Sequence, residues 1–426
     1  MCDVLVTGAE SRQGLVVIRS LGRRGLRLFV TGDRPRSLGF YSKYIHRHAL
    51  TASPEHHNKL FVDEVLGLAQ RHRIPYIFPV TETSLIALDE RRDEVDAISK
   101  LLAPPSSAIR AGVDKQRTLA IAEQVGVPIT KTLYPRGIEE ADATAAQWGY
   151  PVIFKPRGRA NDSRIGGKFD FKIRYAHNRT QLHSILEDCA DGVFPMMQEY
   201  AYGGHTQVVC FMEPQRAHSW FQDDAVRMLP LTGGVGTRMQ SRPVDPLLAE
   251  YSGRIFAAMR MEGCAQAQFK GPDADGRYRF LEVSVRLPAS VGSAVYSGID
   301  YPWQQYCYFS GQPVAPIDRY RLSQPTRWLR GDTISVWQYL LDETPRSGDT
   351  LPSKPRIFWG WLVDFVRPRL RHYVEVPTDP KPALQELREL FRELAVLFGR
   401  KALQRLPILR TVERALTPHR AARGRL

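Results

Sequence analysis

The sequence predicts an α/β unit built on a parallel sheet, then an α+β region, then a mainly helical, basic C-terminal extension. Three observations carry this. Strand-like and helix-like runs alternate between residues 4 and 79. After Pro104-Pro105, helices mix with strands of antiparallel type that end in a hairpin at 265–283. From Ala383 onward, apolar residues repeat at helical spacing among many arginines.

Val4-Leu-Val-Thr7 reads as a short strand entering the turn Gly8-Ala-Glu-Ser-Arg-Gln-Gly14. A helix follows from Leu15 to Leu21 and stops at Arg24-Gly25, and the next strand runs from Leu26 to Val30. This is a βαβ start, for which a right-handed crossover is expected. A helix at 58–72 and a strand at 76–79 continue the alternation. Gly8 and Gly14 enclose only non-glycine residues, so the three-glycine dinucleotide fingerprint fails. Tyr41-Ser-Lys-Tyr44 also lacks the Tyr-x-x-x-Lys spacing of a short-chain dehydrogenase. The turn is expected to be a tight strand-to-helix connection in a Rossmann-like unit.

Past Ala111 a helix is expected at 113–125, ending at Gly126. Strands at 151–155 and 169–173 flank a polar, glycine-bearing loop, and a helix at 178–189 and a strand at 196–200 follow. Further strands at 207–211 and 219–222 and a helix at 246–261 precede the hairpin, whose arms are 265–270 and 277–283. After residue 320 the aromatic run Ile357-Phe-Trp-Gly-Trp-Leu-Val363 is flanked by Lys354, Arg356, Arg367, Arg369 and Arg371. Leu384, Leu387, Leu390, Phe391, Leu394, Leu397 and Phe398 fall on one helical stripe.

Hydrophobic residues make up 43% of the chain and charged residues 24%, a globular balance that excludes disordered and fibrous classes. No apolar run reaches the roughly 18 residues of a membrane span. The N-terminus lacks the basic-then-apolar order of a signal peptide, so a cytoplasmic protein is expected. The five cysteines are scattered without a CxxC pair, which argues against a zinc site or a disulfide framework. The net charge of +14 suits anionic partners such as nucleotides, nucleic acid or acidic lipid; a basic composition with no partner behind it is the plain alternative.

Four segments occur in order. Ala111-Gly-Val-Asp114-Lys115 leads through a helix to Gly126-Val-Pro128-Ile-Thr130. Tyr150-Pro-Val-Ile-Phe-Lys155-Pro156 leads into the loop ending at Gly167. Gln198-Glu199-Tyr200-Ala201-Tyr-Gly203 comes third, and Phe280-Leu-Glu282-Val-Ser284-Val-Arg286 fourth. Behind a Rossmann-like unit, this order resembles the ATP-grasp superfamily, in particular carboxylate–amine ligases such as the large subunit of carbamoyl phosphate synthetase, and biotin carboxylase. The resemblance covers about residues 1–310. It implies a pre-ATP-grasp domain at 1–110, a small lobe at 111–192, a large lobe at 193–320 and a basic, mainly helical extension at 321–426.

The resemblance also implies site residues. ATP presents a concentrated negative charge, which suits lysines, loose backbone amides and a divalent cation. Lys115 and Lys155 are expected on ATP phosphate oxygens, although each also reads as a surface cation at an element end. The loop at 157–167 resembles the glycine-bearing loop that folds over the triphosphate; its arginines read equally as phosphate contacts or solvated charges. Gln198, Glu199, Tyr200 and Ala201 resemble the hinge that pairs with adenine through its backbone. His205 stands where many relatives carry a glutamate. Gln268, Glu282 and Ser284 occupy the metal positions for Mg²⁺, with Mn²⁺ as a substitute. The family pattern has glutamate and asparagine where this chain has Gln268 and Ser284, so one carboxylate remains and weaker metal binding is expected. Arg286 resembles the arginine that steadies the reacting phosphate. The segment from Pro230 to Arg238 resembles a large loop over the active site, with Arg238 on a substrate carboxylate or phosphate; a plain loop is the alternative.

The implied reaction activates a carboxylate as an acyl phosphate for attack by an amine. The departures at His205, Gln268 and Ser284 support a competing reading, an ATP-binding module with little turnover. Small carboxylate and amine substrates and a second copy of the chain are the expected partners, and nucleic acid is not. The tail is expected to form a helical cap packed on the core; its basic aromatic cluster leaves peripheral contact with the inner membrane surface as the alternative.

Overall fold

The computed structural model describes residues 2–158, 169, 171–189, 192–214 and 216–404. Most of the expected triphosphate loop, from residue 159 on, and the arginine-rich tail past 404 lie outside the described residues.

The apolar strand β1 (Val4–Val6) is buried throughout and turns at Gly8 into α1 (Arg12–Gly22). Ser11 caps this helix, its hydroxyl accepting from Gly14 N–H at 3.0 Å. Strands β2 (Leu28–Gly32), β3 (Ile45–Leu50), β4 (Tyr76–Phe78) and β5 (Lys100–Leu101) complete a five-stranded sheet in the order β3-β2-β1-β4-β5. All its pairings are parallel, as expected, with α2 (Asn58–His72), α3 (Glu82–Asp89) and α4 (Arg92–Ile98) in the connections. The helix expected at 113–125 is α6 (Lys115–Gln124), and a further helix, α5 (Ser106–Val113), precedes it. They break at Asp114, whose carboxylate leaves the helical register to accept from Gln116 N–H at 2.9 Å.

A second, antiparallel sheet holds β6 (Thr132–Leu133), β7 (Val152–Lys155), β8 (Arg174–Ala176) and β9 (Met196–Glu199) in the order β6-β9-β7-β8. Helices α7 (Ile138–Trp148) and α8 (Arg179–Glu187) cover it through Ala141, Ala145, Leu182 and Leu186 packed on Val152 and Phe154. The strand expected at 169–173 lies further along, at Arg174–Ala176.

The third sheet has seven strands, ordered β14-β13-β10-β11-β12-β15-β16. They are β10 (His205–Glu213), β11 (Arg216–Leu229), β12 (Val235–Arg242), β13 (Gly263–Lys270), β14 (Arg279–Ser284), β15 (Pro325–Arg327) and β16 (Arg371–His372). Helix α9 (Pro246–Ala258) packs beside β10 and β13, while α10 (Val291–Ser297) and α11 (Tyr301–Phe309) follow the hairpin β13–β14. The last helices are α12 (Leu329–Leu340), α13 (Lys354–Val363) and α14 (Lys381–Gln404). The region after 320 is thus more than a helical cap, because β15 pairs with β12 and β16 with β15.

Buried charge fastens this region. Arg227 grips both carboxylate oxygens of Asp332, at 2.7 and 2.8 Å, and reaches Asp364 as well. Arg327 donates to Asp332 at 2.7 Å under the ring of Phe365, while Arg238 lies 3.3 Å from Asp364. The stripe on α14 divides: Leu390 and Leu397 are buried, whereas Leu384, Phe391 and Phe398 face outward.

Candidate functional site

Strand register builds the site. Glu282 faces Gln268, Gln268 faces Gln207, and Gln207 faces Asp223, a row across β14, β13, β10 and β11. Directly opposed residues share a sheet face, so these side chains stand together. His205 faces Lys270 and Ser284 faces Gln266 on the same surface. Above this surface a cavity of about 160 Å³ is lined by Lys115, Gln207, Gln266, Gln268, Glu282, Ser284, Arg286 and Arg12, among others. Gly112 lets α5 approach it: a Cβ there would stand 2.1 Å from Val285.

Lys115 opens α6, and its backbone N–H donates to the Arg157 carbonyl at 3.0 Å, which ties the helix start to the segment after β7. Lys155 ends β7 and donates from Nζ to Gln198 Oε1 at 3.0 Å. Burial lowers its pKa to about 8; Glu282 opposes the shift, while Lys115 and Lys270 add to it. Lys115, Lys270 and Glu282 therefore sit within electrostatic reach of Lys155.

The side chain of Gln198 is a strut. Its Nε2 donates to Thr130 and Thr132 hydroxyls, each at 2.9 Å, while its Oε1 holds Lys155. Glu199 accepts from Lys131 N–H at 3.1 Å, and its own N–H donates to the Lys131 carbonyl, also at 3.1 Å. Tyr200 donates to Asp349 Oδ2 at 2.6 Å, and Lys270 reaches the same oxygen at 2.7 Å. Ala201 follows at the half-buried end of this segment. Burial, reinforced by Lys270 and Lys155, lowers His205 to about 4, so it is a neutral imidazole at pH 7.

Arg238 is a correction. The expected active-site loop is a short turn followed by β12, and Arg238 lies within that strand, buried beside Asp364. Only Gly234, Val235 and Gly236 of this segment reach the cavity. An isolated motif gave no sign that Asp332 and Asp364, far along the chain, would claim the arginine. Arg12, Lys270 and Asp349 were missed for the same reason: their neighbours come from distant segments.

No family model matches the chain. Several solved structures share its architecture. Biotin carboxylase from Campylobacter jejuni, in a complex with β,γ-ATP, is 18% identical with a TM-score of 0.59, over 76% of this chain and 74% of that one. The biotin carboxylase domain dimer of Hydrogenobacter thermophilus 2-oxoglutarate carboxylase, with MgADP, ADP and bicarbonate, is 16% identical with a TM-score of 0.58, over 76% and 73%. N5-carboxyaminoimidazole synthase from Aspergillus clavatus, with ADP and 5-aminoimidazole ribonucleotide, is 17% identical with a TM-score of 0.58, over 76% and 80%. The fold is ATP-grasp.

The side chains at this cleft limit what cation could be held there. Among the described residues no three His, Cys, Asp or Glu side chains gather as metal ligands. Asp223, the other acid in the row, is lifted to about 8 by burial and is neutral at pH 7. Glu282, with side-chain oxygens from Gln268 and Ser284, would hold a hard cation such as Mg²⁺.

Proposed function

We propose that this chain is an ATP-dependent ligase that activates a carboxylate for attack by an amine. The observation that carries the reading is that Lys115 and Glu282 line one cavity over the seven-stranded sheet and that both lie within electrostatic reach of Lys155 on the four-stranded sheet. Mg²⁺, when bound, neutralises phosphate charge at Glu282, Gln268 and Ser284. The substrate carboxylate attacks the γ-phosphorus, and the bond to the bridging oxygen breaks with its electron pair leaving on ADP. Lys155, fixed by Gln198, and Lys115 hold phosphate oxygens, while Arg286 holds the transferring group. The amine nitrogen then attacks the acyl carbon, loses a proton, and phosphate departs. Tyr200 and Ala201 border the adenine. We keep the division at 110, 192 and 320 as a proposal alongside this reading.

The test is ADP release across a panel of acids and amines, beside Mg-ATP binding. Release that needs both an acid and an amine supports the ligase. Tight binding without release supports the competing module, which the substitutions at His205, Gln268 and Ser284 favour.

Lys155 predicts a pH dependence. Its folded pKa of about 8 lies below the ordinary 10.5, and bound phosphate favours the ammonium form. Below pH 8 the lysine is charged before and after binding, so ATP affinity is flat in pH. Above pH 8 the free protein must take up a proton on binding, so affinity falls by up to about tenfold per pH unit. Calorimetry from pH 6.5 to 9.5 checks this, and Lys155→Gln removes the slope.

Among the described residues no helix is long and apolar enough to cross a membrane. We propose surface contact instead. Trp359 and Val366 near α13 are 61% and 81% exposed, with Arg356, Arg367, Arg369 and Arg371 exposed beside them. Co-sedimentation with acidic vesicles, lost in Trp359→Ser with Val366→Ser, supports it; equal sedimentation with neutral vesicles refutes it. The dimeric Hydrogenobacter domain suggests pairing of two copies, and four buried free thiols of five fit a cytoplasmic location.

A further inference from the structure

Arg12 stands where two cavities meet. One is the cleft already described; the other, about 220 Å³, is lined by Glu10, Arg36, Trp328 and Glu386 among others. The Arg12 guanidinium stacks on Trp328, 4.1 Å from the ring centroid. Its Nε donates to the Ala289 carbonyl at 3.0 Å and its Nη2 more weakly to the Gly236 carbonyl at 3.4 Å. Among the described residues no carboxylate lies within 4.0 Å of Arg12 or of Arg286. Arg286 donates to the Leu287 carbonyl, and its Nε is buried without a partner.

A half-buried guanidinium without a counter-charge is unfavourable, and here a second guanidinium adds to the cost. Glu386 is an acid whose charge bears on Arg12, but burial and the adjacent Glu375 push its carboxyl well up. Its Oε1 is occupied by Trp328 Nε1 at 2.7 Å. Lys155 is influenced by Glu282, Lys115 and Lys270, and Arg12 by Tyr373, Glu386 and Arg286. The positive charge thus runs past the phosphate-binding lysines, through Arg286, to Arg12. A nucleotide and one reacting carboxylate account for the lysines and Arg286, and leave Arg12 without a paired anion among the described residues.

We propose that Arg12 sets substrate specificity by binding a second anionic group of the acid, so that the substrate is a dianionic acid, either a dicarboxylate or a phosphorylated carboxylate. This rests on the ligase reading, and Arg12 acts there as a binding residue presented by the N-terminal unit. The guanidinium fork matches either anion in a bidentate manner.

The experiment measures binding of probe acids to the full chain loaded with Mg²⁺ and a non-hydrolysable ATP analogue. The probes are the dicarboxylates from malonate to adipate, the monocarboxylates of matching length, and 3-phosphonopropionate. At least one dianion is expected to bind about tenfold or more tighter than its matched monoacid. Whether the best probe is a dicarboxylate or the phosphonate tells the two sources apart. Arg12→Gln is expected to abolish that preference and Arg12→Lys to restore part of it, while affinity for the ATP analogue stays unchanged. No dianion preference in the wild type, or a preference intact in Arg12→Gln, overturns the proposal. A loss of ATP-analogue affinity in Arg12→Gln also overturns it, because Arg12 would then serve the nucleotide. If the wild type binds no ATP analogue, the ligase reading itself fails, and this proposal with it.

Discussion

Glu282→Gln is expected to lower ADP formation by about 10²–10³-fold, by analogy with the loss of one preorganised electrostatic donor at an acyl-transfer site. Glu282 is the charge that opposes the burial shift on Lys155, and Gln268 and Ser284 beside it are neutral. The amide preserves shape and a hydrogen-bonding oxygen, so the fold should survive with its melting temperature nearly unchanged. Two readouts follow. Activity falls and extra Mg²⁺ recovers it only in part. The pKa of Lys155 drops further, because Lys115 and Lys270 are no longer opposed, so the pH above which ATP affinity declines moves below 8. An unchanged ADP-formation rate would remove Glu282 from the site.

Asp332→Ala is expected to destabilise the chain by about 3–5 kcal/mol, the usual cost of leaving buried cations unpaired. Asp332 is fully buried and receives Arg227 through both oxygens, Arg327 through one, and Thr237 at 3.2 Å. Its loss leaves Arg227, Arg238 and Arg327 with Asp364 alone among the described residues. Urea unfolding with a matched slope checks the magnitude. A loss below 1 kcal/mol would mean that water enters the cluster and solvates the arginines. These strands and helices carry Trp328 to the edge of the cleft, so binding at Arg12 should weaken along with stability.

Sequence patterns were informative where local chemistry decides structure. α2 spans Asn58–His72 as its apolar spacing predicts, and the hairpin β13–β14 follows from its glycine–proline turn and flanking strands. Elements set by distant partners were opaque. β3 is an edge strand whose His46, Arg47 and His48 are exposed, so no apolar run marks it. β12 reads as a loop because Gly233-Gly234 precedes it and Arg238 looks solvated; only β11, β15 and Asp364 give it a place inside. β15 is three residues long, and a sequence gives no warning that it joins a sheet begun more than a hundred residues earlier.

The candidate site divides in the same way. Lys115, Lys155, Gln268, Glu282, Ser284 and Arg286 stand in ordered motifs, and the register of β13 and β14 brings the last four to one cavity. Gln198 was read for its backbone, yet its side chain turned out to be the brace for Lys155. Arg12 sits in a turn that looked like a failed dinucleotide fingerprint, and its environment comes from Trp328, Ala289 and Gly236.

The central claim is that one polyanion is held between the four-stranded and seven-stranded sheets, and a crystal structure with Mg²⁺ and a non-hydrolysable ATP analogue tests it most directly. The account predicts β- and γ-phosphate oxygens within hydrogen-bond distance of Lys115 and Lys155 Nζ, with the cation on Glu282. A nucleotide seated elsewhere, or a cleft in which those three side chains contact no phosphate or cation, would contradict it.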